Sequence, residues 1–157
     1  MTRHALRHAF RHALRPVLAT LSVLTAACGS GGPSHAAATL DVRGPWARAA
    51  DSGTVTAVYL AILNHTAAPV TFASAASPLA ESVTLHETMA MNGMVHMMPV
   101  DTAPAIAPGD SLVLAEGGKH LMVSGLRRGL VAGDSLPLTL TFADGRTVPV
   151  TAVVKSP

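Results

Sequence analysis

The chain has 157 residues, 49% of them hydrophobic and only 13% charged, which suits a compact domain with a substantial core and excludes a disordered polar tail. Its formal net charge of +2 is set by the N-terminus: Arg3, Arg7, Arg11 and Arg15 are the charges of the first 27 residues, and the remainder carries 7 basic against 9 acidic side chains. That remainder has neither a basic stripe nor a set of stacking aromatics, so nucleic-acid binding is excluded as a function class.

In chain order, a basic stretch to Arg15 is followed by the apolar run Pro16 to Ala27, the layout of an export signal and too short for a spanning helix. The spacing of Arg and His at positions 3, 4, 7, 8, 11, 12 and 15 is also that of an amphipathic transit helix, although no Ser-rich stretch accompanies it. Cys28 follows Thr25-Ala26-Ala27, where a bacterial lipoprotein signal places the cysteine that is acylated; Leu24 stands four residues before it rather than the usual three. The sequence therefore predicts a signal peptide over 1–27, lipidation at Cys28, a flexible linker over 28–38 and a folded domain over 39–157. The other reading is a plainly secreted protein, cut after Ala27 or within Ala36-Ala37-Ala38. The expected location is the periplasm or the outer face of the cytoplasmic membrane, with membrane contact through the lipid alone. As the only cysteine, Cys28 has no partner for an intramolecular disulfide.

Beyond the linker the pattern is β throughout. Thr54 to Leu63 is apolar on both faces and rich in β-branched residues, as a central strand of a sandwich would be. Short apolar runs follow at 69–75, 82–89, 94–100, 111–115 and 119–124, punctuated by Pro69, Pro78, Asn92-Gly93, Pro108-Gly109-Asp110 and Gly117-Gly118. Leu136, Leu138, Leu140 and Phe142 then alternate with polar positions, and Asp144-Gly145 turns the chain into Val148, Val150, Ala152 and Val154. A two-residue turn there would put the two apolar sets on opposite faces, so the pattern predicts an odd-length loop. No segment has a helical period.

Chemistry concentrates in one place. Five of the seven methionines lie between Met89 and Met98, among His86 and His96, and His120-Leu121-Met122 follows. Thioether sulfur is polarizable, neutral and needs no deprotonation, so with imidazole it suits a soft monovalent metal, above all Cu(I). A type I′ turn at Asn92-Gly93 would pair Met91 with Met94, Thr88 with Met97 and His86 with Pro99, placing His86 and Met97 on one face. The same register sends Met89, Met91, Met94, His96 and Met98 to the other face; a three-residue loop would reverse the arrangement. His120 and Met122 are two apart on a predicted strand and point the same way. The candidate site is thus His86, Met97, His120 and Met122, with Met89, Met91, Met94, His96 and Met98 as accessory ligands or holders of a second copper ion. Methionine is also an ordinary core filler, but burial is hard to arrange around a tight turn. Glu87 neighbours His86 on the opposite face, His65 reads as a solvated turn residue, and His35 falls in the linker.

These residues, in this order, resemble the periplasmic copper chaperone family PCuAC. The likeness covers about residues 41 to 154 and rests on Pro45-Trp46-Ala47-Arg48-Ala49, Ala57 to Asn64, Ser77 to Glu87, Asn92-Gly93, Met97, Pro99-Val100, Gly117-Gly118-Lys119-His120-Leu121-Met122, Gly125-Leu126 and Gly133 to Phe142. The family's pattern is a histidine, ten residues, a methionine, about twenty-one residues, then His-x-Met. Here His86, Met97 and His120-Leu121-Met122 fit it with one extra residue in the last gap.

The resemblance implies an all-β, cupredoxin-like Greek-key sandwich. It implies delivery of Cu(I) to a copper-accepting protein, such as cytochrome c oxidase subunit II or a thiol-bearing assembly factor. A blue-copper electron carrier is excluded, because that site needs a cysteine thiolate and Cys28 lies in the leader region. No nucleophile with a base partner, phosphate loop or catalytic carboxylate pair is legible, so the chain is not expected to be an enzyme. Copper storage and tolerance, or a surface interaction module using the methionine patch as an apolar contact, are the competing functions.

Overall fold

The computed structural model describes residues 39–156; the expected leader, the Cys28 lipidation site and the linker lie outside them. The described residues form ten strands and no helix: β1 (Leu40–Arg48), β2 (Val55–Asn64), β3 (Val70–Ala76), β4 (Ser82–Met91), β5 (Met94–Pro99), β6 (Ala105–Ile106), β7 (Ser111–Leu114), β8 (Lys119–Ser124), β9 (Ser135–Phe142) and β10 (Thr147–Lys155). Hydrogen-bonded neighbours run in the order β5-β4-β8-β2-β1-β10-β9-β3-β6, with β7 on the remaining stretch of β2. Only β1 and β10 run parallel. The strand-period reading of the sequence and the all-β class are both correct.

Alternation places the core. Val58, Leu60 and Ile62 of β2, Leu121 and Val123 of β8 and Leu85 of β4 are buried on one face. They join Leu136, Leu138, Leu140 and Phe142 of β9 and Val150, Ala152 and Val154 of β10 in one cluster. Since strands from both halves of the hydrogen-bonded path bury side chains into this one cluster, the sheet folds over itself as a sandwich. The other face of β2, β8 and β4 then looks outward, and it carries Tyr59, His120, Met122 and His86.

The expected odd-length loop is present at the β9–β10 turn. Ala143-Asp144-Gly145 connects Phe142 to Arg146, and Val148 sits opposite Leu140, so both apolar sets face the core. Pro149 is tolerated in β10 because β1 pairs with that strand only from Val153 to Lys155, leaving no ladder bond there for its missing N–H.

Strand β1 was not delimited by the hydrophobic pattern, and a bulge explains why. Its pairing with β2 shifts by one residue between Arg43 and Trp46, at Gly44 with φ +56°. Leu40 and Val42 therefore reach the core from even positions and Ala47 from an odd one, which erases the period of two. The shift also turns Trp46 outward beside Tyr59, ring centroids 4.6 Å apart.

The β4–β5 hairpin has the register read from the sequence: Met91 opposite Met94, Met89 opposite His96, Thr88 opposite Met97 and His86 opposite Pro99. Its turn residues Asn92 and Gly93 both have positive φ, 53° and 76°, as a type I′ turn requires. A Cβ at Gly93 meets no atom, so Gly93→Ala acts through backbone strain alone and costs about 1 kcal/mol. Its expected signature is faster amide exchange confined to β4 and β5 beyond Thr88, with the core strands unchanged.

Candidate metal site

Three adjacent strands deliver the four predicted ligands. His86 on β4 lies directly opposite His120 on β8, and Thr84 opposite Met122. Met97 on β5 lies opposite Thr88, two positions along β4 from His86. Directly opposed residues of an antiparallel pair share a face, and residues two apart on one strand do too. His86, Met97, His120 and Met122 therefore share the outward face of β5-β4-β8. The ring centroids of His86 and His120 are 6.2 Å apart with planes 26° from parallel, near enough to bracket one ion bound at about 2 Å from a nitrogen of each.

Backbone carbonyls set the tautomers. His120 Nδ1 lies 3.1 Å from the Gly118 carbonyl and His86 Nδ1 lies 3.4 Å from that of Thr84. A carbonyl only accepts, so these contacts favour the tautomer with the proton on Nδ1, the one that leaves the Nε2 lone pair open to a metal. The rings are held by their surroundings, at 8% exposure for His86 and 4% for His120. Tyr59 packs against His120 with centroids 6.2 Å apart, and Trp46 backs Tyr59 in turn. Such hydrogen bonds and packing pre-orient ligands before the ion arrives.

The methionines differ from the histidines in exposure. Met97, on the edge strand β5, is 62% exposed, and Met122 is half-buried. Both line a cleft of about 600 Å³ together with His120, Tyr59, Thr88, Ala57 and Arg48; His86 is not among the residues that line it. The candidate set contains no carboxylate and no thiolate. At the cleft Arg48 donates to Glu116, while Lys119 Nζ sits 2.7 Å from Glu87 on the opposite face of the sheet. The Glu116 hydrogen bond and the nearby Tyr59 hold the Arg48 guanidinium above its ordinary pKa, so it stays charged. Among the described residues no three of His, Cys, Asp or Glu come together to hold a metal. The other soft donors that share this face with the two histidines are the thioethers of Met97 and Met122, and such a set suits soft ions and serves hard cations poorly.

The remaining candidates go elsewhere. Met89, Met91, Met94, His96 and Met98, the accessory candidates, all lie on the opposite face of the hairpin from His86 and Met97 and are exposed. Glu87 pairs with Lys119 rather than His86. His65 is an exposed turn residue 4.0 Å from Asp41. Tyr59, Trp46 and Arg48 are the neighbours that local sequence reasoning missed. Their signal was available only through pairing: Ala57 faces Met122, and Tyr59, two residues on, continues the same face.

The comparisons with known proteins agree with this architecture. A family model described as "LpqE-like: Putative lipoprotein LpqE-like" matches residues 40–154. "Putative lipoprotein Lxx21020" of Leifsonia xyli subsp. xyli (strain CTCB07) is 37% identical over 123 residues, covering 78% of this chain and 74% of the relative. The solution structure of CuI-DR1885 from Deinococcus radiodurans is 35% identical, covers 78% of this chain and 83% of that one, and superposes with a TM-score of 0.57. The copper-bound PCuAC domain from PmoF2 has a TM-score of 0.61 at 24% identity, covering 75% of this chain and 93% of that domain, and shares the fold.

Proposed function

Since the chain belongs to the LpqE-like family, we propose that it is an exported, lipid-anchored carrier that holds Cu(I) with His86, Met97, His120 and Met122 and hands it to an acceptor outside the cytoplasm. The observation that carries this reading is the pairing of two ring-oriented imidazoles with two thioethers on one outward face. The lipoprotein names of the family and of its Leifsonia relative support the anchor at Cys28, and the Cu(I) form of the Deinococcus neighbour supports the cargo.

Transfer follows from the unequal exposure of the ligands. Met97 stands open on the edge strand, so an incoming donor displaces it first, and the ion leaves the buried histidines last. Each exchange replaces one ligand by another without leaving Cu(I) bare. An acceptor offering thiolates, or the copper site of cytochrome c oxidase subunit II, supplies stronger donors and pulls the ion across. No step is catalytic.

Acid discriminates the two ligand types. Protons compete for imidazole but not for thioether, so Cu(I) affinity falls as the medium is acidified through the range where imidazole protonates and then levels off. Affinity that stays flat throughout would mean that methionines alone hold the ion. The function itself is tested by loading the protein anaerobically with one equivalent of Cu(I) and mixing it with an apo acceptor domain bearing two thiols. The ion is expected on the acceptor; its retention by the carrier would contradict delivery. A surface interaction module would take up no Cu(I) at this site.

A further inference from the structure

We propose that the opposite face of the β4–β5 hairpin is a second soft-metal site, which takes one Cu(I) or Ag(I) independently of the first. This face continues the core face of β4, but beyond Leu85 the sandwich no longer covers it. There Met89 opposes His96, Met91 opposes Met94, and Met98 opposes Glu87, so three successive cross-strand pairs stack five soft or imidazole donors on one surface. Directly opposed side chains have Cβ atoms about 5 Å apart, and thioethers on three rotatable bonds reach a shared point easily. Met89 and His96 provide a sulfur and a nitrogen from one pair, and Met91, Met94 or Met98 closes a three-coordinate shell.

Burial does not account for these residues. Met89, Met91, Met94 and Met98 are 43%, 48%, 60% and 50% exposed. Threonine or lysine would serve a solvated edge hairpin better and would guard against edge-to-edge pairing. The charges on that face, Glu87 and the directly opposed Lys119, pair with each other at 2.7 Å, so the site presents uncharged thioether donors and favours a monovalent soft ion over a divalent hard one. The site is separate because consecutive strand residues point to opposite faces: Met97 and Met98 cannot serve the same ion. The two sites therefore fill as two ions, one on each side of the sheet.

The test is a titration of the methyl-labelled protein with Ag(I), a redox-inert soft ion, following the ε-methyl resonances of the methionines. Two equivalents are expected to saturate the unsubstituted protein. The His86→Ala/His120→Ala variant retains one, with shifts at Met89, Met91, Met94 and Met98. Met97→Leu/Met122→Leu, which removes no buried imidazole and so spares the fold, gives the same residual equivalent. Replacing Met89, Met91, Met94 and Met98 by leucine and His96 by alanine leaves one equivalent that shifts Met97 and Met122. Saturation at one equivalent in the unsubstituted protein with Met97 and Met122 shifted, or a second equivalent that survives the hairpin substitutions, overturns the second site. Shifts confined to the four hairpin methionines would instead overturn the carrier site and leave this one standing.

Discussion

Replacing His120 with alanine lowers the affinity for Cu(I) by at least about 100-fold, because loss of a partner that merely orients a ligand already costs 10–100-fold and His120 is proposed as a ligand itself. The measurement is anaerobic competition against a chromophoric Cu(I) chelator. His120 is only 4% exposed, so its removal also leaves a hole beside Tyr59 and frees the Gly118 carbonyl. The control is His120→Gln, which refills most of the volume and offers a hydrogen bond to that carbonyl but no imidazole lone pair. Both variants are expected to lose affinity together. Met97→Leu removes a donor from an exposed edge position at little cost to packing, so its loss of affinity reads the sulfur alone. Unchanged affinity in all three variants would sink the assigned site.

The largest effect on stability is expected at Phe142. The side chain is 1% exposed, it meets Phe72 edge-on at 87° with centroids 6.2 Å apart, and it ends β9 just before the turn into β10. Phe142→Ala removes that contact and opens a cavity, which together cost about 3–5 kcal/mol. Domains of this size have about 5–15 kcal/mol in all, so the variant is marginal or unfolded at room temperature. Urea unfolding of the metal-free protein reads the loss as a fall in midpoint with the slope retained. A shift worth less than about 1 kcal/mol would mean that β3 and β9 do not share the core described above.

Much of the site was legible because turns carry register. Asn92-Gly93 admits positive φ at both positions, so its presence fixes which residues of β4 and β5 oppose one another and hence that Met97 shares a face with His86. The β9–β10 hairpin was legible for a related reason: only an odd loop lets Phe142 and Val148 face the same core. Pairings between strands distant in sequence were not legible. No local feature states that β4 lies beside β8, yet that contact alone sets His86 opposite His120. Tyr59 was missed for the same cause, since its place under His120 depends on β2 flanking β8. Strand β1 was obscured by the bulge at Gly44, which breaks the alternation that marks a strand. The loudest signal in the sequence, the run of methionines, divides by parity: Met97 faces the histidines, and its four neighbours look the other way.

X-ray absorption spectroscopy of the protein loaded anaerobically with one equivalent of Cu(I) tests the central claim most directly. The account predicts a reduced edge and a shell of nitrogen and sulfur scatterers that loses its sulfur component in Met97→Leu/Met122→Leu and its imidazole outer-shell pattern in His86→Ala/His120→Ala. A shell of nitrogen and oxygen alone, or one unchanged in both variants, would contradict it.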